Sequence, residues 1–315
     1  KTLGITKEDI GKKISIEEYN QACRREVMKY KEVWDDLTLK MGYWVDLEHP
    51  YITFDNNYIE TVWHLLKRLF EKGLLYKGYT IQPYSPAAGT GLSSHELNQP
   101  GAYRMVKDTS VVAQFKVKQE QISNFLFDSC HGDVFFLAWT TTPWTLPSNT
   151  ALAVGGNITY VKVKTFNPYT YKPVSVILAK DLYRKYFKED NEGLSFESYE
   201  GGQKEIPYKI EKELTGKELE GIRYEQLLPY AQPTDGDAFR VIIGDFVTTE
   251  DGTGIVHIAP SFGADDMRVA KQNGIGSLTL VNKQGRFTEE VTDLAGEYVK
   301  ADYYTAEEQD AELKR

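Results

Sequence analysis

Residues 134–150 read VFFLAWTTTPWTLPSNT, and the fold of the chain is decided around this stretch. The near-continuous apolar run VFFLAW is typical of a buried β-strand, and TTTP follows where that strand ends. Because successive side chains of a strand point to opposite faces, we expect Thr140 and Thr142 to share one side and Thr141 to take the other. The prolines that follow fix the backbone and remove N–H donors, so the strand should end in a stiff turn.

A row of hydroxyls on a rigid strand end can orient a small polar ligand or a water molecule without using charge. Three threonines alone are more often an ordinary strand end, because β-branched residues favour strands and proline ends them. Taken singly, Trp144, Thr145 and Asn149 are likewise typical turn residues. The twelve residues 139–150, taken as one string, are too specific for that simpler interpretation, and they predict a binding site.

Short β patterns dominate the second half of the chain and predict a β-rich α/β body that is barrel-like. The patterns are VVAQFKVK, VFFLAWTTT, ALAVGG, TYVKVKTF, SVILA, FRVIIGDFV and GIVHIA. Helical patterns interrupt them at KDLYRKYFK and DDMRVAKQNG. EDGTG at 250–254 predicts a hairpin turn, since its glycines allow the positive φ angles that such turns need.

The N-terminal part is predicted to be helical. Residues 15–40 place apolar side chains at three- and four-residue steps after a possible N-cap at Ser15, which predicts one amphipathic helix. A second helix should run through residues 56–73 and stop at Gly73. A Gly-, Pro- and Ser-rich stretch at 78–100 indicates a domain boundary. We therefore expect three parts: a helical segment 1–90, a β-rich domain 91–300 and a C-terminal linker 301–315.

Composition excludes several classes of protein. The chain is 41% apolar and 26% charged, as ordinary globular proteins are, and it has neither a membrane-spanning run nor a signal-peptide core. We therefore expect a cytoplasmic protein with no membrane partner. The net charge of −9 lies wholly beyond residue 77, which disfavours a dedicated nucleic-acid-binding module. Cys23 and Cys130 have no metal-ligand spacing, so free thiols are expected.

A second motif, GTGIVHIAPSFGADD, occupies residues 252–266. Its glycines meet neither nucleotide-binding fingerprint, because a third glycine and a Gly-Lys-Ser/Thr ending are missing. His257 lies inside an apolar strand pattern and could line a pocket, although a lone strand histidine is more often structural. Asp265 and Asp266 begin a helix, where carboxylates are common caps. Beside hydroxyls and an imidazole, an ionised carboxylate there would also suit an ammonium ligand.

Together, WTTTPWTLPSN and GTGIVHIAPSFGADD resemble the editing-pocket motifs of class I isoleucyl-tRNA synthetases, in the insertion called connective peptide 1. In leucyl and valyl relatives the first motif typically reads TTRPDT or TTRPET, with Arg at the position of Thr142 and an acid at that of Trp144. TTTPWT therefore indicates the isoleucyl branch. The resemblance covers almost all of the chain, since residues 1–90 resemble the stretch that joins the nucleotide-binding fold to the insertion. It implies the editing-domain fold that valyl-, isoleucyl- and leucyl-tRNA synthetases share.

The resemblance implies post-transfer editing, which is hydrolysis of the aminoacyl ester of valine mischarged onto tRNA(Ile). The expected partners are the tRNA(Ile) 3' end carrying valine and the remainder of the parent synthetase. The HxGH-type and KMSKS-type strings that hold ATP are missing, so ATP would serve only the parent's synthetic site and no cofactor is expected here. The two ends of the chain resemble those of a fragment excised from a larger enzyme. Many bacterial members carry a CxxC zinc pair where this chain has Ser85 and Ala88, so no metal is expected.

Residue roles also follow from the resemblance. Asp266 would bind the substrate's α-ammonium group, and His257 would limit the size of the pocket. The expected catalytic residues are Thr141, Thr142 and Asp266, and the expected substrate-binding residues are Thr140, Thr142, Trp144, Thr145, Asn149, His257 and Asp266. Of these, Thr142 and Thr145 would line the side-chain pocket, while Thr141 and Asn149 would contact the terminal adenosine or orient water. No serine or cysteine nucleophile with a base partner is apparent, which favours direct attack by water helped by a ribose hydroxyl.

Two alternatives remain open from the sequence. One is a valyl- or leucyl-type editing domain, which the Thr142-Pro143-Trp144 string opposes. The other is a tRNA-binding or structural module that does not catalyse hydrolysis, and its acidic surface would give it weak affinity for tRNA on its own.

Overall fold

The computed structural model describes residues 4–6, 9–129 and 131–304. The chain forms two compact units, of which the first ends at Gly78 and the second begins at Tyr79. The functional division predicted at residues 90 and 300 stays a prediction. Cys130 and most of the predicted C-terminal linker lie outside the described residues, and Cys23 is an exposed free thiol, as predicted.

The first unit contains three helices. They are α1 (Ile16–Met28), α2 (Lys31–Lys40) and α3 (Asn56–Glu71). The predicted cap of α1 is confirmed, because Ser15 Oγ accepts the Glu18 N–H at 3.1 Å and the Glu18 carboxylate accepts the Ser15 N–H. The predicted single helix over 15–40 is wrong, since the backbone leaves the helical region at Tyr30 (φ −115°, ψ 15°). The stop after α3 is confirmed, with Gly73 at φ +69°.

The second unit holds the strands. They are β1 (Tyr84–Ser85), β2 (Thr90–Gly91), β3 (Val111–Lys116), β4 (Asp133–Thr140), β5 (Ala151–Val154), β6 (Thr159–Phe166), β7 (Pro173–Ala179), β8 (Lys209–Thr215), β9 (Arg240–Ile243) and β10 (Ile255–Ile258). Its α-helices are α4 (Ser94–Leu97), α5 (Gly216–Leu219) and α6 (Ala264–Gln272). The predicted helix at KDLYRKYFK is a shorter 3-10 helix, Lys180–Lys185.

Two sheets share one hydrophobic core. The larger has the order β3-β4-β7-β6-β8, in which only β4 and β7 are parallel. The smaller has the order β10-β5-β9, with β5 antiparallel to β10 and parallel to β9. Phe115, Phe136, Leu152, Ile177 and Val241 from both sheets pack into the same buried cluster. The predicted β-rich α/β body is confirmed, and within the described residues its sheets wrap round this core without joining into a closed ring.

The segment 250–254 was expected to be a hairpin turn, and that prediction is wrong. Gly252 and Gly254 do adopt positive φ angles of 70° and 72°. However, the strands that precede and follow the segment, β9 and β10, lie on opposite sides of β5 and do not pair. The segment therefore leads across the end of β5 and delivers β10, with His257, to the edge of the smaller sheet.

In the parts of the chain that are described, no helix combines the length and the apolar character that a membrane span requires.

Gly254→Ala tests whether the connection between β9 and β10 tolerates a side chain at position 254. An added Cβ would lie 2.3 Å from Ala179 Cβ, and the backbone has φ +72°. Gly296→Ala is the matched control, because Gly296 has φ +78° and a Cβ added there would meet nothing within 4 Å. We expect the control to lower the free energy of unfolding by about 1–2 kcal/mol through φ strain alone, and Gly254→Ala to lower it by more. Urea denaturation measures both, and equal losses would contradict the prediction.

Candidate active site

The two sequence motifs meet around a cavity of about 340 Å³. The end of β4 and the turn after it form one side, and β10 with the start of α6 forms the other. Six predicted site residues line the cavity: Thr140, Thr141, Thr142, Thr145, His257 and Asp266. Its volume is in the range of small-molecule sites.

The hydroxyl row forms because the sheet ends at Thr140. Thr140 still pairs with Val111 of β3, but Thr142 leaves the strand (φ −126°, ψ 67°) and precedes a 3-10 helix, Pro143–Ser148. The Thr142 N–H donates to Thr140 Oγ1 at 3.0 Å, and the two hydroxyl oxygens are 3.3 Å apart. The predicted common side of Thr140 and Thr142 is therefore confirmed. Thr141 is exposed and also lines the cavity.

His257 is a buried, neutral part of the cavity wall. Its Nε2 lies 2.8 Å from Thr145 Oγ1, and its Nδ1 lies 3.2 Å from Asn149 Nδ2. Burial lowers the pKa of His257 to about 4, so the ring is uncharged at neutral pH. Because both ring nitrogens already have protein partners, the ring is suited to shaping the cavity and not to carrying a proton to a substrate.

Asp266 supplies a carboxylate in the first turn of α6. The Ala259 N–H donates to its Oδ2 at 3.0 Å. Burial raises the pKa of Asp266, and the nearby charge of Asp265 adds to this effect. The neighbouring Asp265 is exposed and pairs with Arg268 at 3.1 Å, whereas Asp266 forms no ion pair with any residue that the structure describes. The cavity thus has one carboxylate available to a cationic ligand.

Trp144 and Asn149, both predicted to bind substrate, do not line the cavity. The Trp144 ring packs edge-on against Phe262, with ring centroids 5.2 Å apart. Asn149 is 2% exposed and lies behind His257, where its amide donates to Ala151 O at 2.8 Å. Direct contact of Asn149 with adenosine or water, as predicted, does not fit this position, because other protein groups already occupy its amide.

Sequence reasoning missed five further lining residues: Trp139, Val256, Ala259, Phe262 and Gly263. Trp139 could have been found, since strand alternation places it on the same side as Thr141. Nothing in the sequence indicates that Gly263 lines the cavity. Its backbone is ordinary extended structure (φ −140°, ψ 137°), yet an added Cβ would lie 2.8 Å from Asp266 Cγ. Gly263 therefore leaves room for the carboxylate.

No group of three or more His, Cys, Asp or Glu side chains is arranged to hold a metal ion in the described part of the chain. Ser85 and Ala88, where the resemblance implied a zinc pair in many relatives, are joined by a hydrogen bond from the Ala88 N–H to Ser85 Oγ at 3.2 Å. The absence of a metal and of a cofactor stays a prediction.

Asp266→Asn should make stability less dependent on pH. The pKa of Asp266 is raised above 3.8 by folding, so its contribution to stability is fully present below that pH and is lost as the pH rises through the folded-state pKa. The variant should therefore gain stability relative to the wild type as the pH rises from 3.8 through the folded-state pKa of Asp266. Urea denaturation across this range measures the difference. Asp265→Asn, which removes only the neighbouring charge that adds to the raised pKa of Asp266, should show a smaller gain, and a pH-independent difference for Asp266→Asn would refute the prediction.

Comparison with known proteins identifies the family. Residues 1–145 match the family described as tRNA synthetases class I (I, L, M and V). The chain is similar to the isoleucine–tRNA ligase of Cytophaga hutchinsonii, at 67% identity over 99% of this chain and 28% of that protein. It is 64% identical to the isoleucine–tRNA ligase of Porphyromonas gingivalis over 95% of this chain and 26% of that protein. The chain thus spans about a quarter of the length of these relatives.

Among solved structures, the chain is similar to GlLeuRS-CP1, with a TM-score of 0.42 and 15% identity over 65% of this chain and 97% of that chain. Another is the editing domain of the P. knowlesi cytosolic leucyl-tRNA synthetase, with a TM-score of 0.39 and 14% identity over 54% of this chain and 65% of that chain. By its sequence relatives, the chain belongs to the class I tRNA synthetases and corresponds to a segment of the isoleucine–tRNA ligases.

Proposed function

We propose that this chain is an editing domain that hydrolyses the ester of valine mischarged onto tRNA(Ile). The observation that carries the proposal is the cavity itself, in which a neutral wall of hydroxyls and imidazole faces one carboxylate without an ion pair among the described residues. The parent enzyme would ligate isoleucine to tRNA(Ile) with ATP at a site outside this chain. Its partners would be the tRNA 3' end and the remainder of the parent, in the cytoplasm.

A second site is needed because one methylene contributes only about 1–3 kcal/mol of discrimination in a hydrophobic pocket. A synthetic site that accepts isoleucine therefore admits valine at a low rate. A smaller second site can invert this preference, since it excludes the larger side chain and accepts the smaller one. The closely packed wall at Thr142, Thr145 and His257 is suited to exclusion by size.

In the proposed reaction, Asp266 holds the α-ammonium group of the valyl ester. The ammonium group supplies a positive charge, which stabilises the ionised form of this buried carboxylate. Water attacks the ester carbonyl carbon, the bond to the ribose oxygen breaks, and the proton passes to that oxygen. The products are valine and a tRNA with a free ribose hydroxyl. Thr141 and Thr142 would orient the water or the ester, with help from a ribose hydroxyl, and no metal or cofactor is needed.

Asp266→Asn tests the proposal with a nearly isosteric change. Losing a charge-assisted hydrogen bond costs about 1.5–3 kcal/mol, so kcat/KM for hydrolysis of Val-tRNA(Ile) should fall about 10- to 100-fold. Asp265→Asn is the control, because its carboxylate pairs with Arg268 and does not line the cavity. Its rate should match the wild type. Equal rates for all three proteins would remove Asp266 from the mechanism.

The same assay separates the two alternatives. A tRNA-binding module without catalysis would shift tRNA in a binding assay and release no valine. A valyl- or leucyl-type editing domain would release noncognate amino acids from tRNA(Val) or tRNA(Leu) faster than valine from tRNA(Ile).

A further inference from the structure

From the cavity wall, a chain of polar groups runs into the protein interior. Its members are Tyr224, Asn149, His257 and Thr145, which are exposed by 0%, 2%, 7% and 4%. The Tyr224 hydroxyl donates to Asn149 Oδ1 at 2.7 Å, and Asn149 Nδ2 faces His257 Nδ1 at 3.2 Å. His257 Nε2 then meets Thr145 Oγ1 at 2.8 Å. Buried polar groups in such a chain constrain one another, because each has few alternative partners.

The orientation of the Asn149 amide is fixed by its neighbours. Nδ2 lies 2.8 Å from the carbonyl oxygen of Ala151, which can only accept, so the NH₂ group must face it. Oδ1 correspondingly receives the Tyr224 hydroxyl. The second amide hydrogen of Asn149 is donated to His257 Nδ1, because the other acceptor near the amide, Ile258 O, is farther away at 3.5 Å.

This orientation decides where His257 carries its proton. A neutral imidazole has one donor nitrogen and one acceptor nitrogen. Because Asn149 presents a donor to Nδ1, Nδ1 must accept, and the proton lies on Nε2. Nε2–H then donates to Thr145 Oγ1, whose own hydrogen is donated to Thr142 O at 2.8 Å. The opposite tautomer would place two donors against each other at Asn149.

We propose that Asn149, held by Ala151 O and the Tyr224 hydroxyl, is a positioning residue that sets the tautomer of His257 and thereby the direction of the Thr145 hydroxyl. Thr145 then gives its hydrogen to Thr142 O and offers only its oxygen to other groups. The hydroxyl of Thr142, 3.4 Å from that oxygen, is the neighbouring group that can donate to it. The role of this wall in the hydrolysis of the valyl ester rests on the proposed function. The assignment of the His257 tautomer does not.

The direct test is nitrogen NMR of the His257 ring in the whole 315-residue chain, with the resonances assigned through the backbone. Imidazole nitrogens that carry a proton and those that do not have well-separated shifts, so the tautomer is read without any substrate. The wild type should show Nε2 protonated and Nδ1 unprotonated. A proton on Nδ1 would overturn the proposal.

Asn149→Asp should reverse the tautomer. An ionised carboxylate only accepts, so Nδ1 must then carry a proton; in the neutral ring Nε2 then accepts, and Thr145 must turn to donate to it. An unchanged Nε2–H form in the folded variant would overturn the proposal. Tyr224→Phe keeps the buried ring, which packs on Phe115 at 5.3 Å, and removes only the hydroxyl. Because Ala151 O still fixes the amide NH₂ group, this variant should keep the Nε2–H form, and a mixture of both tautomers would overturn the role of Ala151.

Hydrolysis of Val-tRNA(Ile) gives the second measurement. Asn149→Asp should lower kcat/KM by about tenfold, the effect of one misdirected hydrogen bond. If the wild type has the Nε2–H form but releases no valine, the proposed function fails while the tautomer assignment stands. If the wild type is active with Nδ1 protonated, the function stands and the positioning role fails.

Discussion

The hydrogen bond between Thr145 Oγ1 and His257 Nε2 is the constraint on which the cavity depends. It is 2.8 Å long and joins two buried side chains 112 positions apart in the sequence. A buried polar group left without a partner costs about 1–3 kcal/mol, so the turn after β4 and strand β10 must meet in one arrangement. Pairing of His257 with Leu152 of β5 fixes the register of β10 and holds the imidazole in that place.

Features set by local sequence could be predicted. The apolar runs of β4, β5 and β10 identify those strands, and alternation within β4 places Thr140 and Thr142 on one side, as their 3.3 Å contact confirms. The cap at Ser15 and the stop at Gly73 depend only on residues a few positions away. The meeting of the two motifs was inferred from a resemblance, because neither motif contains a signal for the other.

Features set by distant partners could not be predicted. Strand β8 reads KIEKELT, whose charges hide the β pattern, and it forms because β6 pairs with it at the sheet edge. The segment 250–254 has the glycines of a hairpin, but insertion of β5 between its flanking strands decides the topology. Asn149 sits in a motif full of site residues, yet Tyr224 and Ala151 hold it behind the wall. Side-chain chemistry alone could not distinguish a wall residue from one that supports the wall.

The electrostatics and the rigidity of the cavity both depend on its buried wall. Burial keeps His257 uncharged, and the hydroxyl of Thr145 and both nitrogens of His257 are bonded to protein groups, which leaves Asp266 as the position for an amine. A wall with internal hydrogen bonds also resists displacement, because moving His257 would break its bonds to Thr145 and Asn149 together. An extra methylene, which gains only about 1–3 kcal/mol on burial, does not offset losses of that kind. Size exclusion in the proposed reaction therefore depends on these internal bonds, in a wall that burial keeps neutral.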